Sequence, residues 1–412
     1  MLAVRIKTVQ EQELFAAALG LQSPWYVSNL DFSLVNKKLD IEIDFERGSE
    51  FPCTCCGKPA KAYDTKKQSW RHMDFFQHQA YLHARVPRVN CPDGCGIKQI
   101  EVPWARPGSG FTLLFEALIL SYCKEMPVNK VGELMGEHDT RLWRVIHHYV
   151  DTERALQDYS HVTEIGMDET ACRRGHTYVS FFYDMEKRKL LFGTSGKDRA
   201  TVKAFQEDFI AHGGIPENVK QACSDMSPSF ISGIQEYLPN ADITFDKFHI
   251  VKIINEGVDA VRREEVAENE VLKKTRYIWL KNESNLTDKQ KCTIEEISKL
   301  NLKTSRAYQI RLNFQELFTQ PDRASGEAFL NKWYYWATHS QLEPMIKAAK
   351  TIKAHWDGVL NWFDSHLTSG FIEGMNGLIQ AAKSKARGYR SDKNFIAIAY
   401  LLGAKLEFNL PT

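Results

Sequence analysis

Cysteines and carboxylates are the residues of this 412-residue chain whose types and spacing could do chemistry. Four of its nine cysteines fall as Cys53-x2-Cys56 and Cys91-x3-Cys95, each pair followed at once by a glycine, Gly57 or Gly96. Thiolates two or three residues apart grip one side of a tetrahedral zinc ion, and glycine lets the backbone turn around it. In a chain with no mark of secretion, close cysteine pairs read as metal ligands before they read as disulfides. Cys53, Cys56, Cys91 and Cys95 are therefore expected to hold one structural Zn²⁺. Cys55 is expected to be a non-ligand, although it could compete with Cys56. Cys123, Cys172, Cys223 and Cys292 read as core residues. His72, His78 and His83, between the two pairs, read as surface or packing residues, with a substitute ligand among them the lesser reading.

The carboxylates matter by position. Ile165–Asp168 is expected to form a short strand ending in Asp168. "HTYVSFFYD" and "RKLLFGTSG" follow as strands joined by a turn at Met185–Lys187, and "DRATVKAFQEDFI" as a helix. Val219–Asp225 then reads as a strand ending in Asp225, Pro228–Tyr237 as a helix and Ile243–Asp246 as a strand. Three strands followed by α-β-α-β is the order of a ribonuclease H-like mixed sheet, in which the first and fourth strands are neighbours. Asp168 and Asp225 would then face each other. Close carboxylates repel unless hard cations sit between them, and Mg²⁺ (or Mn²⁺) takes few carboxylates together with water and phosphate oxygens. The third acid must come from a later helix. Glu373, opening the helical stretch "SGFIEGMNGLIQAAKSKARGYR" (Ser369–Arg390), is the candidate. Taken one at a time these acids are ordinary turn formers, and Glu169 beside Asp168 could be confused with it.

Other elements must position these groups. Leu39, Ile41, Ile43 and Phe45 alternate with acids, the pattern of a strand. From Phe111 to about Val150 the pattern is helical. Pro127 suits a helix N-terminus, Val128, Val131 and Leu134 make an apolar stripe, and Gly136 sits where a tight turn is needed. A last helix from about Thr140 would turn Leu142, Val145 and Ile146 inward and leave Arg141, Arg144, His147 and His148 outside. That is the shape of a helix-turn-helix whose final helix enters the major groove of DNA. Three short helices are also a common core, and the neighbouring cysteine pairs favour the DNA-binding reading. Residues 248–364 read as long, charged and helical, with Trp279, Trp333, Tyr334, Tyr335 and Trp336 a packed core before a base-stacking surface.

A net charge of +1 excludes a polycation, so nucleic-acid contacts must come from local patches. Lys383, Lys385, Arg387 and Arg390 form one such patch, with a solvated helix face as the plainer reading. On a helix, Asn376, Gly377 and Gln380 share a face with Glu373 and would line the approach to the metals, and Arg387 falls near that face if the helix runs so far. At 43% hydrophobic and 25% charged, with no apolar run near 18 residues and no signal-peptide pattern in "MLAVRIKTVQEQELFAAALGL", the chain is expected to be intracellular, with no membrane span.

These residues resemble the DDE-type transposases of bacterial insertion sequences, and among them the ISL-three family. The matching stretches are "LDIEIDFERGSEFPCTCCG", "GMDET…RRGHTYVSFFYD", "CSDMSPSFI…LPNADITFDKFHIVKIINEGVDAVRREE" and "GFIEGMNGLIQAAKSKARGYR", which together span nearly the whole chain. The resemblance implies a multidomain α+β fold: a zinc-binding domain (1–104), a helix-turn-helix (105–160), a ribonuclease H-like catalytic domain (161–257 and 361–412) and a helical insertion (258–360). The insertion accounts for the long separation of Asp225 from Glu373. It implies Asp168, Asp225 and Glu373 as a Mg²⁺-binding catalytic triad, with Asp246 and His249 of a D-x2-H motif as accessories at the site. It also implies DNA partners (terminal inverted repeats and target DNA), DNA contacts by Arg141, Arg144, Lys383, Lys385, Arg387 and Arg390, a homo-oligomer of at least two copies on DNA, and a cytoplasmic, nucleoid-associated location. A structure-selective nuclease of the same fold, or a DNA-binding regulator on such a scaffold, are the rival readings.

Overall fold

A computed structural model describes residues 11–173 and 177–411. Met1–Gln10 and Arg174–His176, the latter part of the "RRGH" motif quoted above, lie outside the described residues. The described chain forms two compact units, one running to Tyr149 and taking in the end from Glu407, the other Val150–Leu406.

In the first unit a short helix, α1 (Glu11–Ala18), precedes six strands: β1 (Trp25–Ser33), β2 (Lys38–Phe45), β3 (Glu50–Pro52), β4 (Pro59–Phe75), β5 (His78–Asn90) and β6 (Ile97–Gln99). Their order is β1-β2-β5-β4-β3, with β6 on β5. The expected alternation holds in β2, where Leu39, Ile41 and Ile43 are buried and the intervening acids face outward. Trp25, Trp70 and Trp104 meet edge to face in the core, with centroids 4.9 and 5.6 Å apart. Three helices follow, α2 (Leu113–Glu125), α3 (Val128–Met135) and α4 (Asp139–Ala155). Thr112 caps α2 by accepting from Phe115 N–H. Gly136 ends α3 at φ 66, the left-handed conformation that the tight turn requires. Leu142, Val145 and Ile146 are buried as expected. The stripe on α3 is Val128, Val131 and Met135, whereas Leu134 is exposed; an i, i+3, i+7 row faces the core, and Leu134 lies off it.

The second unit opens with β7 (Glu164–Arg173), β8 (Thr177–Asp184), β9 (Lys189–Ser195), α5 (Arg199–Ala211), β10 (Gln221–Ser224), α6 (Pro228–Tyr237), β11 (Asp242–Phe245) and α7 (Lys247–Glu265). The sheet order is β11-β10-β7-β8-β9. β7, β8 and β9 are antiparallel, and β10 and β11 lie parallel to β7, which is the ribonuclease H-like mixed sheet expected. Phe182 and Phe205 stack at 4.5 Å beneath it. Strand ends differ from expectation in two ways. β7 does not stop at Asp168, because Thr170 and Ala171 still pair with Val179 and Tyr178. β10 and β11 stop one residue early, at Ser224 and Phe245, because Asp225 and Asp246 turn their side chains to the N–H groups of Ser227 and Phe248 at the following helix starts.

α7 runs without a break across residues 257 and 258 into a helical region with its own core, in which Trp279 and Trp333 are fully buried. Tyr335 and Trp336 are not core: 66% and 43% exposed, they lie on the outer side of their helix, Arg323–Thr338. Cys292, read as a core residue, is also exposed, on a helix (Asp288–Ser298) that buries only Ile297. Helices Gly370–Lys385 and Asp392–Gly403 return the chain to β7 and β9.

Candidate active site and metal centre

The first cluster is built by turns. Cys53 follows β3 and Cys91 follows β5, and both are buried. Gly57 N–H closes onto the Cys53 carbonyl at 2.8 Å and Gly94 N–H onto that of Cys91 at 3.2 Å, while Gly57 and Gly96 take φ of 76 and 79. Lys58 clasps Asp93 across the two turns at 2.7 Å. The ligand sulfurs of Cys53, Cys56, Cys91 and Cys95 all lie within 4.8 Å of one another, and Cys56 Sγ and Cys91 Sγ are 3.4 Å apart. A tetrahedral ion with Zn–S of about 2.3 Å holds its sulfurs roughly 3.8 Å apart, so the donor set fits structural Zn²⁺. Among the described residues no other group of three or more His, Cys, Asp or Glu is drawn so tightly. Cys55 is exposed and stands outside the group. The three histidines stand outside it too: His72 meets Thr112, His78 packs on Phe32, and His83 bridges Ser69 and Asp40.

The second cluster is built by topology. In the parallel pair of β7 and β10, Gly166 stands opposite Cys223. Two residues further along come Asp168, still within β7, and Asp225, just past the end of β10, where neighbouring strands run about 4.8 Å apart. Gly166 also admits the helix that carries the third acid, since a Cβ there would lie 2.6 Å from the Ile372 side chain. Asp168, Asp225, Asp246, His249, Ser369 and Glu373 line one narrow cleft with space of about 20 Å³, room for a single water-sized occupant.

Each carboxylate is oriented. Asp168 Oδ1 accepts from Glu169 N–H at 2.8 Å and Oδ2 from Asn376 Nδ2 at 2.7 Å, and Asn376 is in turn fixed by the buried Tyr183 hydroxyl at 2.8 Å. Asp225 Oδ1 accepts from Ser227 N–H at 3.0 Å, and Glu373 Oε1 from Ser369 Oγ at 2.9 Å. Burial pushes the Asp168 carboxyl up to about 6, with Asp225 repulsion adding to it and the Glu169 N–H, His249 and Asn376 opposing. Glu169 is raised as well, by burial and by its two acidic neighbours. A half-buried carboxylate penalised in its charged form and repelled by a second is one that gains from a cation, so the donor set suits Mg²⁺ or Mn²⁺. Asp246 and His249 form an adjoining pair, Oδ2 to Nδ1 3.1 Å, off the line of a well-directed hydrogen bond. Burial opposes the charge of Asp246, yet the adjacent His249 and Ser369 side chains and the bond from Phe248 N–H hold its pKa below the ordinary value; Asp246 in turn raises His249.

The basic run divides. Lys385, Arg387 and Arg390 are exposed. Lys383 is not, because its Nζ donates to the Ala171 carbonyl and to Gln380. The helix ends at Lys385 and Arg387 takes φ 57, so Arg387 does not continue the Glu373 face. Nor do Asn376 and Gln380 line an open approach: they bond to β7, Gln380 at Thr170 and Ala171. Arg144 is exposed, whereas Arg141 is ion-paired with Glu137. Ser369 and Tyr183 escaped the sequence reading. Ser369, four residues ahead of Glu373 at a helix start, left a readable sign; Tyr183, an ordinary strand tyrosine, left none.

A zinc-finger-like cysteine cluster, a helix-turn-helix and a ribonuclease H-like sheet with acids gathered around one cleft define a class of DNA-processing enzyme. The chain matches the transposase model of the ISL3 type over residues 165–399, the helix-turn-helix domain of transposase family ISL3 over 100–150, and the zinc-finger of transposase IS204/IS1001/IS1096/IS1165 over 49–95. The first match alone covers more than half of it, and the chain belongs to the ISL3 transposase family. It is 27% identical over 396 residues to the transposase for insertion sequence element IS1557 of Mycobacterium tuberculosis, covering 87% of each chain. It is 25% identical over 360 residues to the transposase for insertion sequence element IS1001 of Bordetella parapertussis, covering 83% of this chain and 86% of that one. Among the described residues no helix is long and apolar enough to cross a membrane.

Proposed function

We propose that this insertion-sequence transposase binds the terminal inverted repeats of its element and cuts and joins DNA by metal-dependent phosphoryl transfer at Asp168, Asp225 and Glu373. The observation that carries the reading is their convergence: Asp168 in β7, Asp225 just past the end of the adjacent parallel strand β10, and Glu373 on a helix packed against β7, all lining one cleft. Bound there, Mg²⁺ or Mn²⁺ would supply the charge that stabilises the attacking and leaving oxygens of an in-line displacement. The protein's part is positional. Asn376 and the Glu169 N–H aim Asp168, Ser369 aims Glu373, and Lys385, Arg387 and Arg390 hold the phosphate backbone beside the cleft. His249, paired with Asp246, orders the scissile phosphate. Water attacks in donor cleavage and the freed 3′-hydroxyl in joining, so no covalent protein–DNA bond forms.

The segments take the roles of zinc-binding domain (1–104), helix-turn-helix (105–160), catalytic domain (161–257 and 361–412) and helical insertion (258–360), with α7 shared across the boundary at 257. Two ends must be joined, so at least two copies act together on DNA, in the cytoplasm at the nucleoid. The test is cleavage and joining of paired end duplexes by zinc-loaded protein with Mg²⁺. Asp168→Asn, Asp225→Asn and Glu373→Gln should each lower turnover at least about 1,000-fold while end binding persists. Wild-type turnover in the Glu373→Gln protein would falsify the third assignment. Cleavage without joining by the wild type would instead favour the nuclease.

A further inference from the structure

The turn of the helix-turn-helix holds a carboxylate remote in sequence from the cysteine cluster and from the acidic cleft. Glu137, between α3 and α4, has a side chain only 6% exposed, and two guanidiniums converge on it. Arg71 comes from β4 and is itself buried, set against the rings of Tyr81 and Phe115 at 5.4 and 4.9 Å. Its Nε, without a hydrogen-bond partner, lies 3.8 Å from Glu137 Oε1. Arg141, on the first turn of α4, is ion-paired with Glu137 Oε2, lies 4.1 Å from the Phe111 ring centre and reaches the Gly110 carbonyl at 3.5 Å. Its side chain is 40% exposed, but to swing fully outward to a phosphate or a base edge it leaves these partners. Arg144, one turn further along, is exposed.

We propose that Glu137 is a specificity-determining residue of end recognition: it withholds Arg141 from the outer face of α4, so that Arg144 alone of the two reads DNA. An unrestrained arginine neutralises a phosphate on any sequence and raises affinity without discrimination. Anchored by buried Arg71, Glu137 keeps that sequence-independent contribution out of the interface. The inference rests on the reading of α4 as the DNA-contacting helix.

The experiment measures affinity of the full-length, zinc-loaded protein for an end duplex and for a scrambled duplex across a salt titration. Arg141→Ala should stay within about threefold of wild type on the end duplex, and Arg144→Ala should weaken it about tenfold or more. Glu137→Gln should steepen the salt slope on scrambled DNA by about one and lower the end-to-scrambled ratio several-fold. Glu137→Gln/Arg141→Ala should return both to wild-type values. A tenfold loss in Arg141→Ala, or an unchanged slope and ratio in Glu137→Gln, overturns the proposal. Wild-type binding by Arg144→Ala instead removes α4 from the interface, and both readings fall together. If Glu137→Gln sheds zinc or melts early, Arg141→Ala against Arg144→Ala decides alone.

Discussion

The cysteine cluster and the carboxylate cluster are assembled on opposite plans. Cys53, Cys56, Cys91 and Cys95 sit in two tight turns at one end of a sheet, and local backbone bonds bring their sulfurs within 4.8 Å. Asp168, Asp225 and Glu373 come from a strand, the turn after its neighbour and a distant helix, with a long helical region between the last two, and each has a neighbour that aims it. One site is specified by spacing and the other by topology. Faults should therefore spread differently: losing a cysteine undoes the local fold, whereas losing an acid removes chemistry and leaves the scaffold.

The largest effect that tests this contrast is a reciprocal pair. Cys53→Ser/Cys91→Ser should empty the zinc site, measured as zinc per chain, and abolish tight end binding, because several kcal/mol of local folding energy goes with the metal. Asp225→Asn should keep about one zinc and wild-type end binding while losing turnover. Full zinc in the double cysteine variant would break the comparison at its first member.

Next is the aiming of Asp168. Asn376→Ala removes a 2.7 Å donor and leaves the buried Tyr183 hydroxyl without its acceptor. Turnover should fall about 10- to 100-fold with end affinity unchanged. Loss confined to end affinity would mean that Asn376 serves DNA rather than the acid.

That difference in plan also sets what could be read in advance. The gathering of the four cysteines was legible because Cys-x2-Cys and Cys-x3-Cys spacings with trailing glycines constrain a local geometry. The sheet was legible through strand order, and with it the neighbourhood of Asp168 and Asp225. How Asp168 sits was not: pairing beyond it depends on β8, so the strand runs on to Arg173 and leaves the acid half-buried in mid-strand. The fate of the basic residues was equally hidden. Arg141 and Lys383 look exposed on a helical wheel, yet Glu137 and the Ala171 carbonyl, each from outside their helix, claim them. Residue type and period give a face; the partner that occupies it comes from the fold.

A smaller effect separates the units by pH. In the first unit His72 is pushed down to about 4, by burial and then by Arg71. With Nδ1 unprotonated it accepts from the Thr112 hydroxyl at 2.9 Å, and that oxygen also caps α2. The unfolded chain binds a proton near pH 6.5 that the folded chain refuses until about 4. Stability from this group is complete above 6.5, declines as pH falls to 4, and is level below. The total is about 3 kcal/mol. Subtracting the denaturation profile of His72→Asn from that of wild type cancels proton competition at the zinc thiolates. A difference that is flat between pH 6.5 and 4 would refute the assignment.

The smallest effect sharpens the contrast within the catalytic helix itself. Lys385 and Arg387 are exposed, and each should release about one counterion when the strand binds. Lys385→Ala/Arg387→Ala should weaken DNA binding several-fold at moderate salt and flatten the log–log salt slope by about two. Lys383→Ala should leave that slope near wild type, because its ammonium is already spent on the Ala171 carbonyl and Gln380. It should lower turnover instead, by loosening the helix from β7 nearly three turns beyond Glu373. If Lys383→Ala flattens the slope as much as either neighbour, then the whole run is a phosphate contact, and the division of this helix into a part that braces the acid and a part that holds DNA disappears.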